Sequence, residues 1–271
     1  MRRLTIAFLA LFASWPASAR ADFYGPGGDG GSQDGVIWAG VQFSPPPGSG
    51  GGGGGGASEC TWQPAEVYDS GIGSFGDIDR VVNGVRYHLY YRSCPTGDDL
   101  VWVAQLTPAE LAQRAADAVY DRLPAPQARF APPAERGVVH VGMWFWTEPS
   151  TWQPVSVTAW IATPTGVVWA ETTATPTRLV YRPGDGSGVD RCTGPGPVWS
   201  DAVGDETPSP CMHTYRHASA TRGGGTYAAE LGIEWAISWT SNAAAGGSLA
   251  GYTTRSSYDI RVDEIQALVT G

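Results

Sequence analysis

Lysine is absent from this sequence: all 17 basic residues among the 271 are Arg. No Gly-Lys-Ser/Thr exists, so the abundant glycines build no phosphate-cradling loop. We read the Arg-only bias as high-GC coding, not as a site signal. A basic run is missing too, and the net charge is −9. That balance argues against nucleic acid and anionic lipid as partners and reads as solubility. Long apolar runs are lacking after the first 20 or so residues. Nothing later approaches the length of about 20 residues that a membrane-spanning helix needs. Catalytic signatures are equally scarce. There is no Gly-x-Ser-x-Gly elbow and no His-Glu-x-x-His, and the four His are scattered. Asp77 with Asp79, and Asp263 with Glu264, are the only acid pairs considered for general acid/base work, and both read as ordinary loop or edge acids. No catalytic residue, metal or cofactor is expected, and the chain is not read as an enzyme.

What is present begins with an export signal. Met1-Arg2-Arg3 precedes an apolar stretch over 4–13, and small residues follow at Ala17, Ala19 and Ala21. This is the pattern of a cleaved signal peptide over residues 1–21, with an uncleaved anchor as the alternative. Cleavage removes three Arg and no acid, so the mature chain is more acidic still. No Cys follows the cleavage region, which argues against a lipoprotein. The expected location is extracellular. Four Cys in an exported chain predict two disulfides, and three pairings are possible. Cys60–Cys94 and Cys192–Cys211 are preferred because each pair falls within one segment. Each is worth roughly 3 kcal/mol in the chain-entropy model.

The chain then divides by composition. Residues 22–57 form a Gly/Pro-rich flexible spacer, with polyglycine at 50–56 and one apolar stretch at 36–43 that reads as a short strand or sticky peptide. Residues 58–106 read as a small β-rich module. Asn83-Gly84 between two β-type runs is a strong hairpin signal, and Pro95-Thr96-Gly97 marks another turn. A unit this small gains from Cys60–Cys94. Residues 107–137 read as a helix and a Pro-rich extended linker. Thr107 is the N-cap, Pro108 stands at the first helical position, Glu110 completes a capping box, and Leu111, Ala115, Ala118 and Val119 make an apolar stripe. Residues 138–271 are nearly all β, with strands expected at 138–146, 155–162, 166–175, 178–182, 226–239 and 252–262. Tyr227, Ala229, Leu231, Ile233, Trp235, Ile237 and Trp239 take every second position, the mark of a strand with one face buried.

Two motifs in this last region carry a resemblance. Val180-Tyr181-Arg182-Pro183-Gly184-Asp185-Gly186-Ser187 resembles the strand-and-turn signature of PKD domains, and His213-Thr214-Tyr215 with Gly225-Thr226-Tyr227 resembles their second signature. The match covers about 153–262. Tyr181-Arg182-Pro183 stands where the family has Trp-Asp-Phe, and a cysteine-bounded insert separates Ser187 from His213. The flanking cysteines and the ending at 262–268 are similar to a group of secreted PKD-like proteins of high-GC Gram-positive bacteria. The resemblance implies a PKD/immunoglobulin-like antiparallel β-sandwich, preceded here by the small disulfide-linked β module and one helix. It also implies an extracellular role in spacing, adhesion or ligand contact.

Gly184-Asp185-Gly186 reads as a tight turn, with calcium as the alternative if Asp190 and Asp205 came near. Cys211-x-His213-x-x-x-His217 has zinc-like spacing, but export favours an oxidised Cys211, and His213 and Tyr215 have a structural place in the resemblance, Tyr215 as a corner residue. Trp144 and Trp146 fall on one face of their strand. They read either as core or as a platform that stacks on sugar rings. The expected function is therefore non-enzymatic surface contact or protein binding outside the cell. The alternative is a carbohydrate or cell-wall binding module using Trp144 and Trp146. The partner is an extracellular protein or a cell-wall glycan.

Overall fold

Turn chemistry organises the first sheet of the computed structural model, which describes residues 36–39, 41–43, 60–68, 77–204 and 207–265. The expected signal peptide, most of the spacer, Asp205 and the last six residues lie outside the described residues. Strand β1 (Val36–Ala39) comes from the spacer's apolar stretch. Then follow β2 (Thr61–Pro64), a one-turn helix α1 (Ala65–Tyr68), β3 (Asp79–Val82), β4 (Val85–Cys94) and β5 (Gly97–Ala104). The order is β1-β5-β4-β2, with β3 also paired to β4. Asn83 and Gly84 have φ of 50° and 77°, the left-handed pair that a two-residue hairpin turn requires. Cys60 is bonded to Cys94, joining the start of β2 to the end of β4.

Helix α2 (Pro108–Tyr120) follows the capping rules. The Glu110 N–H donates to Thr107 Oγ1 at 3.3 Å, and the Thr107 N–H donates to Glu110 Oε2 at 2.7 Å. Its buried stripe is Leu111, Ala112, Ala115, Ala116 and Val119.

Past α2 the chain departs from expectation. The stretch read as an extended linker contains β6 (Ala128–Ala131) and opens β7 (Gly137–Val138). Proline favours extended backbone whether or not a partner strand is near, and the four residues of β6 keep the N–H groups that pairing needs. The strand expected over 138–146 is interrupted. His140 takes φ of 66°, which ends β7, and β8 (Gly142–Thr147) starts afresh. Next come β9 (Val155–Thr163), β10 (Gly166–Arg182), β11 (Asp190–Thr193), β12 (Met212–Thr214), β13 (Tyr227–Ser241), β14 (Gly246–Ile260) and β15 (Val262–Asp263). The large sheet runs β11-β10-β13-β14 with β9 also on β10; a smaller one runs β12-β8-β6; β7 and β15 form a parallel pair. The fold is mainly β, and the five-stranded and three-stranded sheets of the second half are antiparallel.

The two strands expected at 166–175 and 178–182 are one strand, with a bulge between Pro176 and Arg178. The bulge matters for the core. Before it, Ala170, Thr172 and Ala174 are buried; after it, Leu179 and Tyr181 are. Their partners on β13 are Ser241, Trp239, Ile237, Ile233 and Leu231, all odd-numbered. One extra residue therefore keeps a single face of β10 turned to the core along its full length. That face has two covers. Over the small residues lies α2, and Thr172 Oγ1 donates to the Ala112 carbonyl at 2.8 Å. Over the large ones lies the three-stranded sheet, with Phe145 stacked on Tyr181 at 4.8 Å between centroids. Residues 41–43 stitch the first sheet to the second: Gln42 and Trp160 exchange two backbone hydrogen bonds of 2.9 Å.

Candidate functional site

The turn after β10 is where the sequence motifs meet. Gly184 takes φ of 77°, and a Cβ there would collide with the Ala228 carbonyl oxygen. Only glycine fits that approach. It aims Asp185 inward, and the carboxylate closes a local turn: Asp185 Oδ1 accepts from the Ser187 N–H at 2.9 Å and from the Ser187 hydroxyl at 2.6 Å. Asp185 Oδ2 meets His213 Nε2 at 3.0 Å. The other ring nitrogen, Nδ1, meets Asp190 Oδ2 on β11 at 2.7 Å. Each ring nitrogen therefore faces a carboxylate oxygen from a different segment. His213 is thus a cross-link between the turn, β11 and β12.

Beneath it lies a tyrosine stack. His213 packs edge-on against Tyr215 at 4.6 Å, and Tyr215 stacks on Tyr227 at 5.0 Å. Tyr215 donates its hydroxyl proton to the Pro183 carbonyl at 3.1 Å. Its oxygen then accepts from Tyr181, 2.7 Å away. The Tyr227 hydroxyl donates to the His217 carbonyl at 3.0 Å. Burial pushes the Tyr181 and Tyr215 phenols far above the ordinary tyrosine range. Burial also works to raise Asp185, but donation from the Ser187 hydroxyl, the Ser187 N–H and His213 outweighs it, and the carboxyl lies below its ordinary value.

Gly184, Asp185, Gly186, His213 and Tyr215 are therefore brought into one cluster. Asp190, weighed in the sequence only as a calcium oxygen, joins it through His213, and Tyr181 joins it through the Tyr215 hydroxyl. The alternation of β10 places Tyr181 inward, but which residue its hydroxyl would find depends on the insert between the two motifs. Cys192 and Cys211, at 5% and 0% exposure, close that insert with the second disulfide. Cys211 is consequently no zinc ligand, and His217 is exposed and outside the cluster. Among the described residues no group of three or more His, Cys, Asp or Glu is arranged to hold a metal. Of the acid pairs, Asp79 faces His88 at 3.0 Å and Asp263 pairs with Arg261 at 3.1 Å.

The reading of Trp144 as an exposed sugar platform is corrected. Trp144 is 4% exposed, and its Nε1 has no acceptor among the described residues. Trp146 is half-buried. The cysteine-bounded insert folds back along β8: the Thr147 N–H donates to the Pro195 carbonyl at 2.8 Å, and Gly196 comes so close that a Cβ would lie 2.8 Å from the Trp146 Cβ. None of the Trp side chains among the described residues is exposed.

No family model matches this chain, and no curated protein or solved structure is significantly similar to it.

Proposed function

We propose that this chain is an exported PKD-like β-sandwich protein that acts without chemistry, by pairing its edge strand β14 with an extended segment of another extracellular protein. The export reading rests on the signal-like start, the two disulfides and the absence of a membrane-length apolar helix among the described residues. The PKD-like reading rests on the two sequence signatures, which converge at one turn. The groups with chemical potential in that cluster are bonded to one another, which favours a structural over a catalytic role.

One observation carries the contact reading. Strand β14 spans 15 residues and pairs only with β13 among the described residues. Natural sheets protect such edges with charges, prolines or very short strands. Here Gly246–Ile260 has no Pro, and its only charges are Arg255 and Asp259. Two features protect it in part: a bulge opposite Ala236, and Tyr120 of α2, whose hydroxyl donates to the Ala250 carbonyl at 3.4 Å. Apart from Leu249, Ala250 and Ile260 the remaining residues are Gly, Ser, Thr and Tyr, and Tyr252 stands 43% exposed. Main-chain donors and acceptors supply affinity in strand addition, and alternate side chains supply selectivity.

The test is site-specific photo-crosslinking on the producing cells. Benzophenone side chains at Ser248 and Ser257 should each yield one discrete adduct with the same extracellular protein. Val198, 60% exposed on the insert, is the control and should yield none. Ser256→Lys should remove the adducts by placing a charge on the edge. Absence of adducts from β14, or equal labelling from Val198, overturns the reading.

A further inference from the structure

A cleft of about 280 Å³ opens between the segments that follow Gly137, Tyr215 and Asp263. Its polar lining is His140, Arg216, His217 and Glu264, set over a floor that includes Val138 and Val139. Both walls are fixed from behind. The His140 N–H donates to the Tyr215 carbonyl at 2.9 Å, and the Val139 N–H donates to the Asp263 carbonyl at 3.1 Å. The His217 carbonyl is held by the buried Tyr227 hydroxyl.

Three features of this cleft combine. First, His140 sits at φ of 66°. A non-glycine residue in the left-handed region costs on the order of 1 kcal/mol and points to a use for its side chain. Second, the side chains of His140, Arg216, His217 and Glu264 have no hydrogen-bond, ion-pair or ring partner among the described residues. Of the other arginines, Arg92, Arg129, Arg178, Arg182, Arg191 and Arg261 are ion-paired and Arg80 and Arg222 lie over aromatic rings, whereas Arg86, Arg122, Arg136 and Arg255 resemble Arg216 in having no such partner among the described residues. Third, the cleft gathers one guanidinium and two imidazoles against a single carboxylate, on a chain whose net charge is −9. Fixed walls and several N–H donors lining one cleft are what an oxyanion needs.

We infer that this cleft binds a small oxyanion, the carboxylate or phosphate group of an extracellular ligand. Arg216 offers the forked donor pair, and His140 and His217 close on the same group. Glu264 opposes the anion and limits how tightly it is held. The site is independent of the β14 edge.

Isotope-labelled mature protein would be titrated with inorganic phosphate and, separately, with glucuronate at about pH 6. The ring signals of His140 and His217 should shift saturably, and those of His88 should not. Arg216→Gln should weaken binding about tenfold, the loss of one charge-assisted contact. His140→Gly should also weaken it while leaving the fold intact, because glycine accepts the left-handed backbone. Glu264→Gln should tighten it. Binding of phosphate alone or of glucuronate alone sustains the site and names the source of the oxyanion. No saturable shift with either probe, unchanged affinity in Arg216→Gln, or shifts spread equally over exposed arginines such as Arg86 and Arg255 overturns it.

Discussion

The Tyr181 hydroxyl lies 2.7 Å from the Tyr215 hydroxyl, although 34 residues separate them in the chain. Because Tyr215 gives its proton to the Pro183 carbonyl, Tyr181 is the donor and the relay has one direction. Tyr215→Phe removes the acceptor of one buried group and the donor of another. It should cost about 1–3 kcal/mol in denaturant unfolding. Tyr181→Phe should cost less, since it leaves Tyr215 still donating to Pro183. The double variant should fall short of the sum of the two, as expected for groups in one network.

Asp185 ties a turn to His213, and its carboxyl is held below the ordinary value of 3.8. A depressed carboxyl stabilises the fold above its unfolded pKa, and that contribution is lost as pH falls through the folded one. Glu110 acts in the same sense, held below 4.5 first by the Thr107 N–H and then by the Thr107 hydroxyl. Unfolding free energy should therefore decline as the solution is acidified below the ordinary carboxylate values. In Asp185→Asn the decline should be shallower and start from a lower neutral value. A slope identical to that of the parent protein would contradict the role given to Asp185.

Cys192 and Cys211 are 19 residues apart, and the loop they close packs on β8. Replacing both with Ser should destabilise the protein by about 3 kcal/mol. Amide exchange should rise first at Phe145 and Thr147, whose N–H groups bond to the Cys211 and Pro195 carbonyls.

Trp144 and Trp146 differ in depth, and the difference is measurable. Trp144→Ala should cost about 3–5 kcal/mol, the range for emptying a buried aromatic site. Trp146→Ala should cost clearly less. Equal costs in thermal or denaturant melts would contradict the burial of Trp144.

Helix α2 approaches the large sheet over Ala170, Thr172 and Ala174, and Ala170 and Ala174 are fully buried. Ala174→Leu has no room to turn into, so it should destabilise by about 1–3 kcal/mol or more. A stable variant with an unchanged spectrum would show that the helix can lift off the sheet.

The sequence by itself determined whatever is written in short range. The period of two fixed β13 and its buried face, Asn83-Gly84 fixed a hairpin, Thr107 with Glu110 fixed a helix start, and segment-wise spacing favoured the two disulfides that form. Each follows from backbone preferences or from residues near in sequence. Tertiary structure decided the rest. Nothing local distinguishes an extended proline-rich linker from β6, because both have the same backbone and only the partner β8 makes the strand. Nothing local says that the insert will fold along β8, or that Asp190 will meet His213 23 residues away. The cleft of His140, Arg216, His217 and Glu264 joins points over a hundred residues apart, placed together by β7–β15 pairing and by the Tyr215 carbonyl. Contacts of that range depend on how whole sheets pack, and no window of sequence contains them.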